Sequence, residues 1–480
     1  MTADTAPQPK VSLEDLLSTQ EFTALPAARK TPKHRIRGTR ETRRHRILLT
    51  LLLGAALAAL FGIQHFLWPH NPLPHGDAQQ AWSWAGLIWV MAFIPAALEL
   101  AGLYLWHAPR AARHYIPNLV CWRVVSRGTN VEALTATIEA CRREMAVTPL
   151  FPYHIEVLLD QNTEGEGLPP EDGDLSYVRV PKDYQTPNGT RNKARALNYA
   201  LQASPLPGKA WIVHMDEESW PTPSGIRGIA AAIREEEDSG RLRIGQGTIT
   251  YHRDWAAHPF FTLSDCVRTG SDKGRLYLSM LIGVPLFGMH GSFIVIRNDV
   301  EKSMGFDVGP VGSLTEDAWW GTMAMDAGIR CRWVEGHIAE QCTQAVPDFL
   351  NQRRRWFNGM GRTSLQAPAR LRWRATLLVS MFAWACAPAA WVYTIGHIIS
   401  GGYISPEVRI LANFSLAVYI ATTLIGLQLN MREHGITSYI QKCRWAITWL
   451  ACLPVFSLME SAAVAFAIVR PARDFHVVRK

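Results

Sequence analysis

Five long apolar runs constrain this chain before anything else does. Ile47–Trp68, Trp82–Trp106, Ala375–Ile399, Ile410–Leu429 and Trp445–Val469 each hold enough apolar residues to cross a bilayer as a helix. The first is not read as a signal peptide, because a second run follows and no small-residue cleavage site is evident. Pro69, Asn71, Pro72, Pro74 and Gly76 make the link between them a turn-rich loop, with Asp77 its only full charge. Arg29, Lys30, Lys33, Arg35, Arg37, Arg40, Arg43, Arg44 and Arg46 crowd the stretch ahead of the first run, against the single acid Glu41, and Arg110 and Arg113 follow the second. Basic residues outside both ends place both ends of a 47–106 transmembrane hairpin on the cytoplasmic side. A basic block can also bind nucleic acid. This one runs straight into Ile47 with no aromatic residues interleaved, so a juxtamembrane anchor is the better reading.

Residues 1–46 are expected to be a disordered basic cytoplasmic tail and 470–480 a second basic tail, with C-terminal transmembrane helices over 375–469. The parity of these helices conflicts with their flanks. Three spans that start inside leave the C-terminus outside, whereas Arg470, Arg473, Arg479 and Lys480 favour the inside. A break at Pro454 into a re-entrant hairpin resolves the conflict. The 18 Trp suit a chain with many membrane–water interfaces. None of the eight Cys forms a CxxC pair, so neither a zinc site nor a disulfide framework is indicated, and the soluble part is expected in a reducing compartment.

Between the membrane parts, over 115–370, charges return and short apolar runs alternate with amphipathic ones. Leu119–Val125, His154–Leu159, Tyr177–Val180, Trp211–Met215 and Ser292–Ile296 read as buried strands, and Val131–Met145, Arg191–Gln202 and Ser224–Glu237 as helices between them. That alternation predicts an α/β domain with a mostly parallel sheet, whose ligands bind beyond the carboxyl ends of the strands.

Four stretches carry chemistry. Asp216-Glu217-Glu218 follows the strand ending at Met215, and carboxylates two apart suit Mg²⁺ or Mn²⁺. An acidic loop is commonly just solvated; its position after an apolar strand favours the metal reading. In Thr315-Glu316-Asp317, Thr315 is a good N-cap with acids in the first turn. That alone is capping. The functional reading makes Asp317 a general base. Gln352-Arg353-Arg354-Arg355-Trp356 offers guanidiniums for phosphate and a ring for a sugar or base, or else an ordinary basic helix face. Arg191, Lys193 and Arg195 stand at a helix start where a phosphate fits, without the P-loop pattern.

In this order these stretches resemble the family 2 glycosyltransferases, with their DxD-like, TED and QxxRW motifs and a preceding Lys-Ala-x-Ala-Leu-Asn-like segment, here Lys193-Ala194-Arg195-Ala196-Leu197-Asn198. Within that family the chain is most similar to the Egghead-type β-1,4-mannosyltransferases. The supporting stretches are Arg123 to Gly128, Met215 to Glu218, Gly245 to Tyr251 and Phe475 to Lys480. The resemblance implies a GT-A (Rossmann-like) cytosolic domain inserted between transmembrane helices, and inverting, metal-dependent transfer of a sugar, with GDP-mannose as donor. It implies Asp216 and Glu218 as ligands of Mn²⁺ or Mg²⁺, although Glu218 replaces the usual second Asp. It places Asp317 as base beside Glu316. Ser126, Arg127, Asp160, Lys193, Arg195, Asp216, Gln352, Arg355 and Trp356 are placed on the donor, and His290, Gly291, Ser292 and Trp356 near the acceptor. His290 equally fits a core histidine. Asp160 falls where the nucleotide base is contacted, and Ser126-Arg127-Gly128 replaces the common opening motif.

The acceptor is expected to be lipid-linked or a glycan, and nucleic acid is not expected as a partner. Competing readings are a processive synthase that uses a UDP-sugar and exports its polymer, and an inactive scaffold or transport subunit in which the carboxylates are dispensable. Glu99 and Glu460, costly in lipid, mark either function or pairing within the bundle. The basic N-terminal block and Arg- and Ala-rich composition favour a bacterial plasma membrane.

Overall fold

Strands β1 (Val120–Ser126), β2 (Tyr153–Leu159), β3 (Leu175–Arg179), β4 (Trp211–Asp216), β5 (Ile244–Thr250), β6 (Ile294–Arg297) and β7 (Cys331–Ala339) pair in the order β3-β2-β1-β4-β6-β5-β7. Only β6 runs antiparallel to its neighbours, so the sheet is mostly parallel as expected. The computed structural model describes residues 40–67, 76–108, 115–162, 164–309, 314–400 and 403–472; of the tails expected over 1–46 and 470–480, the parts over 1–39 and 473–480 lie outside the described residues, as does the turn-rich link over 68–75, while 40–46 is not disordered but begins the first membrane helix.

The helices are α1 (Arg40–Leu67), α2 (Asp77–Ala85), α3 (Phe93–Leu105), α4 (Val131–Val147), α5 (Asn192–Ala203), α6 (Pro223–Ser239), α7 (Pro259–Ser271) and α8 (Tyr277–Ile282). They continue as α9 (Asn298–Met304), α10 (Glu316–Asp326), α11 (Val346–Gln366), α12 (Leu371–Ala385), α13 (Ala387–Ser400), α14 (Pro406–Glu433) and α15 (Tyr439–Val469). Local chemistry sets several ends. Asn130 caps α4 through the Ala133 N–H at 3.2 Å, and Thr222 caps α6 through Gly225, with Pro223 in its first turn.

Strands β5 and β7 were not anticipated. The run Ile244-Gly245-Gln246-Gly247-Thr248 has glycine where a strand normally carries apolar side chains, because a Cβ on Gly247 would meet the Phe293 ring at 2.4 Å on their shared face (the atom is Cε1). Strand β7 is a sheet edge with alternating polar residues.

The sheet also buries charge. Arg123 on β1 stands opposite Glu156 on β2 and His214 on β4. Its guanidinium donates to Glu156 at 2.7 Å and to Glu301 of α9 at 3.1 Å, all fully buried. A slip of one residue would put these groups into apolar neighbours, so the network specifies register more than it adds stability.

Five helical stretches are long and apolar enough to cross a membrane: Arg40–Phe66, Gln80–Leu105, Leu371–Ser400, Pro406–Glu433 and Tyr439–Val469. They cover the five apolar runs of the sequence and suit the chain to membrane association. Pro454 does not break the last: α15 runs through it unbroken. The interruption falls instead at Cys386, between α12 and α13, just before Pro388. Helix α14 is the enclosed one, 61% buried along its apolar window. It lies against α7 so closely that Gly270 and Gly426 have no room for a Cβ between the two backbones.

Candidate active site

The chain winds outward from β1 through β2 to β3, then returns to β4 on the other edge of β1. Such a reversal opens a crevice beyond the carboxyl ends of β1 and β4. Ser126 ends one and Asp216 the other, with Val125 directly opposite Asp216. Ser126 Oγ donates to Glu217 Oε2 at 2.6 Å and accepts from the Gly128 N–H at 2.9 Å. Just past β2, the Asp160 carboxylate pairs with Arg195 and its N–H donates to the Ser126 carbonyl at 3.1 Å. Burial pushes the Asp160 carboxyl up, and Arg195 opposes that. Arg127 Nε donates to Gln161 Oε1 at 2.9 Å on the exposed rim.

Helix α5 separates its cations. Arg195 serves Asp160 and the Tyr184 carbonyl, whereas Lys193 Nζ donates to Asp216 Oδ1 at 2.5 Å and to the Gly291 carbonyl at 2.7 Å. The helix start is therefore not one cluster of three phosphate-binding cations: two residues apart on a helix, the side chains point to different neighbours.

Glu316 and Asp317 open α10. Thr315 occupies the N-cap position but makes no capping bond; its Oγ1 is buried without a hydrogen-bond partner, and its side chain packs on Gly359 of α11. Asp317 Oδ1 instead accepts the Ala318 N–H at 2.8 Å. Burial and then Glu316 push the Asp317 carboxyl up to about 7, opposed by that N–H, Lys193 and Arg355.

On α11 only part of the expected arginine cluster faces the crevice. Arg355 lies in the field of Glu316, Asp317, Asp216 and Glu218. Arg353 turns away and is buried, donating to Asp265 of α7 at 2.5 Å and to Glu460 of α15 at 2.8 Å, while Arg354 stacks over Phe466. Gln352 is buried and accepts from Arg353 at 2.5 Å. The Trp356 ring lies between the guanidiniums of Arg268 at 4.4 Å and Arg353 at 4.5 Å. Both membrane acids prove to be paired, Glu460 with Arg353 and Glu99 with Arg275 at 3.7 Å.

The His290-Gly291-Ser292 loop enters the crevice under strain. Phe293 is fully buried at φ 57°, a conformation that costs a bulky residue about 1–3 kcal/mol, and its N–H is held by the His214 carbonyl at 2.9 Å. The kink brings Gly291 against the catalytic candidates: a Cβ there would lie 3.0 Å from Lys193 Nζ and 3.3 Å from Asp317 Oδ2. His290 Nε2 bonds Asp272 Oδ1 at 2.6 Å. Ser292 Oγ donates to Glu340, which also accepts from Ser219 at 3.4 Å. Glu340, buried at the end of β7, thus ties this loop to the turn after β4. Sequence reasoning missed Glu340 and Asp272. Recognising β7 would have flagged Glu340 as a carboxylate just past a parallel strand.

Four carboxylates (Asp216, Glu218, Glu316 and Asp317) thus surround two cations, Lys193 and Arg355. The excess negative charge fits a divalent cation. Among the described residues no group of three or more His, Cys, Asp or Glu is placed to hold one. Asp216 and Glu218 are the candidates among the four carboxylates for a Mg²⁺- or Mn²⁺-type ion, which takes its remaining ligands from water and phosphate.

Residues 211–430, which span Asp216, the His290 loop, Asp317 and α11, match the family model "Glycosyl transferase family group 2". The chain carries a family 2 glycosyltransferase domain. This glycosyltransferase is 28% identical over 417 residues to the β-1,4-mannosyltransferase bre-3 of Caenorhabditis elegans, covering 82% of this chain and 89% of that one. It is 28% identical over 413 residues to the β-1,4-mannosyltransferase egh of Drosophila melanogaster, covering 84% of each. Among solved structures it is similar to the mannosyltransferase PcManGT from Pyrobaculum calidifontis in complex with GDP-Man and Mn²⁺, at 14% identity and a TM-score of 0.43, over 88% of this chain and 100% of that one. The mostly parallel sheet and its switch-point crevice make the glycosyltransferase domain GT-A in type. The nematode and fly relatives speak against the bacterial membrane expected from composition.

Proposed function

We propose that the glycosyltransferase moves mannose from GDP-mannose, with inversion, to a hydroxyl of a lipid-linked or glycan acceptor at a membrane surface. The observation that carries this reading is the likeness to β-1,4-mannosyltransferases over more than four-fifths of the chain. In this reading the domain faces the cytosol, on the side of the basic stretch before α1.

Asp317 is the base. A carboxylate raised to about 7 is matched to removing a hydroxyl proton near neutral pH, as the acceptor oxygen bonds to the sugar and the diphosphate departs. Lys193 and Arg355 attract the diphosphate and balance the charge it carries away. Asp216, with Glu218, would hold the divalent cation, which supplies Lewis-acid stabilisation of the leaving group when bound. Ser126, Arg127, Asp160 and Arg195 line the nucleotide end.

The test uses purified chain in detergent with Mn²⁺ and a membrane lipid extract. GDP release from GDP-mannose is compared with UDP release from UDP-glucose, in wild type and Asp317→Asn. The expected result is GDP release that falls about 10²- to 10⁴-fold in the variant. UDP release with a polymeric product would favour the processive synthase. Turnover of neither donor, or an unaffected variant, would overturn the assignment.

A further inference from the structure

Helix α7 continues into α8 through a π turn, Asp272–Leu276. Such turns insert one residue into a helix and are frequent at functional sites. This turn has two sides. On one, Gly274 meets Gly102 of α3 backbone to backbone, and Arg275 pairs with Glu99. On the other, Asp272 is 2% exposed and both its oxygens are occupied: Oδ2 accepts the Ile249 N–H at 2.8 Å and Oδ1 bonds His290 Nε2 at 2.6 Å. A carboxylate held on one oxygen by a backbone N–H and on the other by an imidazole favours the proton on Nε2 and locks the ring plane.

The other ring nitrogen is free. The His290 side chain is 28% exposed, and Nδ1 is neither bonded to a described residue nor buried. A histidine that served only packing would enclose both nitrogens. This one stands one residue from Gly291, whose carbonyl takes Lys193 and whose Cα faces Asp317. Gln246 Nε2 pins the loop by donating to the His290 carbonyl at 2.9 Å and to that of Ser292 at 3.4 Å. One turn before Asp272 on the same helix face, Arg268 lies on the Trp356 ring.

We propose that Asp272 is a positioning residue, and that the His290 it orients bonds through Nδ1 to an oxygen of the acceptor sugar and so selects which hydroxyl reaches the base. The selection rests on the reading of Asp317 as that base. Burial opposes charge on His290, but Asp272 outweighs it and raises its pKa, so Nδ1 carries a proton and donates over more of the neutral range. The π turn also connects this choice to α3, because the segment that presents Asp272 is the one fixed on Glu99 and Gly102.

The experiment measures two quantities on the full chain with whichever nucleotide sugar the wild type turns over: the ratio of sugar transfer to donor hydrolysis, and the linkage of the product. In Asp272→Asn and His290→Gln the transfer-to-hydrolysis ratio should fall roughly ten- to a hundred-fold, with a higher KM for acceptor, an unchanged KM for donor and mixed linkages in the product. Thermal denaturation separates a folding defect from this effect. A wild-type ratio with a single linkage in both variants would overturn the proposal. So would loss of transfer and hydrolysis in equal proportion. Failure of GDP-mannose alone would remove the mannose assignment and leave this test readable with the donor that does work.

Discussion

Asp317 shows how one residue's surroundings set both activity and stability. Its carboxyl ordinarily loses its proton near 3.8, and burial beside Glu316 raises that to about 7 in the folded chain. Between these values the unfolded chain has released the proton while the folded chain keeps it. Stability therefore falls as pH rises through that window, and the cost is present in full above 7. Asp317→Asn should raise the thermal midpoint by a few degrees at pH 8 and leave it unchanged near pH 4, measured by thermal denaturation in detergent. Wild-type transfer should run the other way, increasing as pH rises through about 7 because the base must be ionised. The sequence indicated the type of this residue and its place at a helix start. It carried no sign of the raised proton affinity, which comes from burial in the folded chain and then from Glu316, against the opposing charges of Lys193 and Arg355 that the fold brings in from two other helices.

At the scale of elements, what was legible followed periodicity. Strands β1 to β4 are short, mostly apolar runs and were readable within one or two residues. Strand β5 was not, because its close contact with Phe293 demands glycine and erases the pattern. Helix α11 was half legible. Gln352-Arg353-Arg354-Arg355-Trp356 reads as one cluster, yet successive residues on a helix are about 100° apart, so of the three arginines only Arg355 faces the crevice carboxylates. Arg353 goes to the opposite side and becomes a structural cation. The loop before β6 makes a sharper prediction. Gly291→Ala adds one methyl between Lys193 and Asp317, at 3.0 and 3.3 Å. The distances permit folding with small shifts, so the thermal midpoint should stay near wild type. Transfer should drop roughly ten- to a hundred-fold, because displacing the base or the lysine by a fraction of an ångström spoils alignment. An alanine variant with full activity would mean that this loop does not define the reacting geometry.

For the whole molecule, the question is how apolar helices and a polar crevice hold one geometry. The answer runs through Arg353. Its guanidinium joins Asp265 of α7, itself packed on α14, to Glu460 of α15, while its own helix presents Arg355 to the crevice. Arg353 and Asp265 are almost completely buried, and Glu460 is partly open. Removing one member of such a group leaves a charge without compensation, which costs about 3–5 kcal/mol, whereas replacing the pair by apolar residues of similar volume is often close to neutral. Asp265→Ala should therefore lower the thermal midpoint strongly, and Asp265→Leu combined with Arg353→Met and Glu460→Gln should recover most of the loss, because no member of the group is then left charged without its partner. The triple variant separates the two roles of α11. If Arg353 only joins the bundle to the domain, the recovered protein turns over donor at close to the wild-type rate. If stability returns and turnover does not, the guanidinium also holds the register of α11 that brings Arg355 to the four carboxylates.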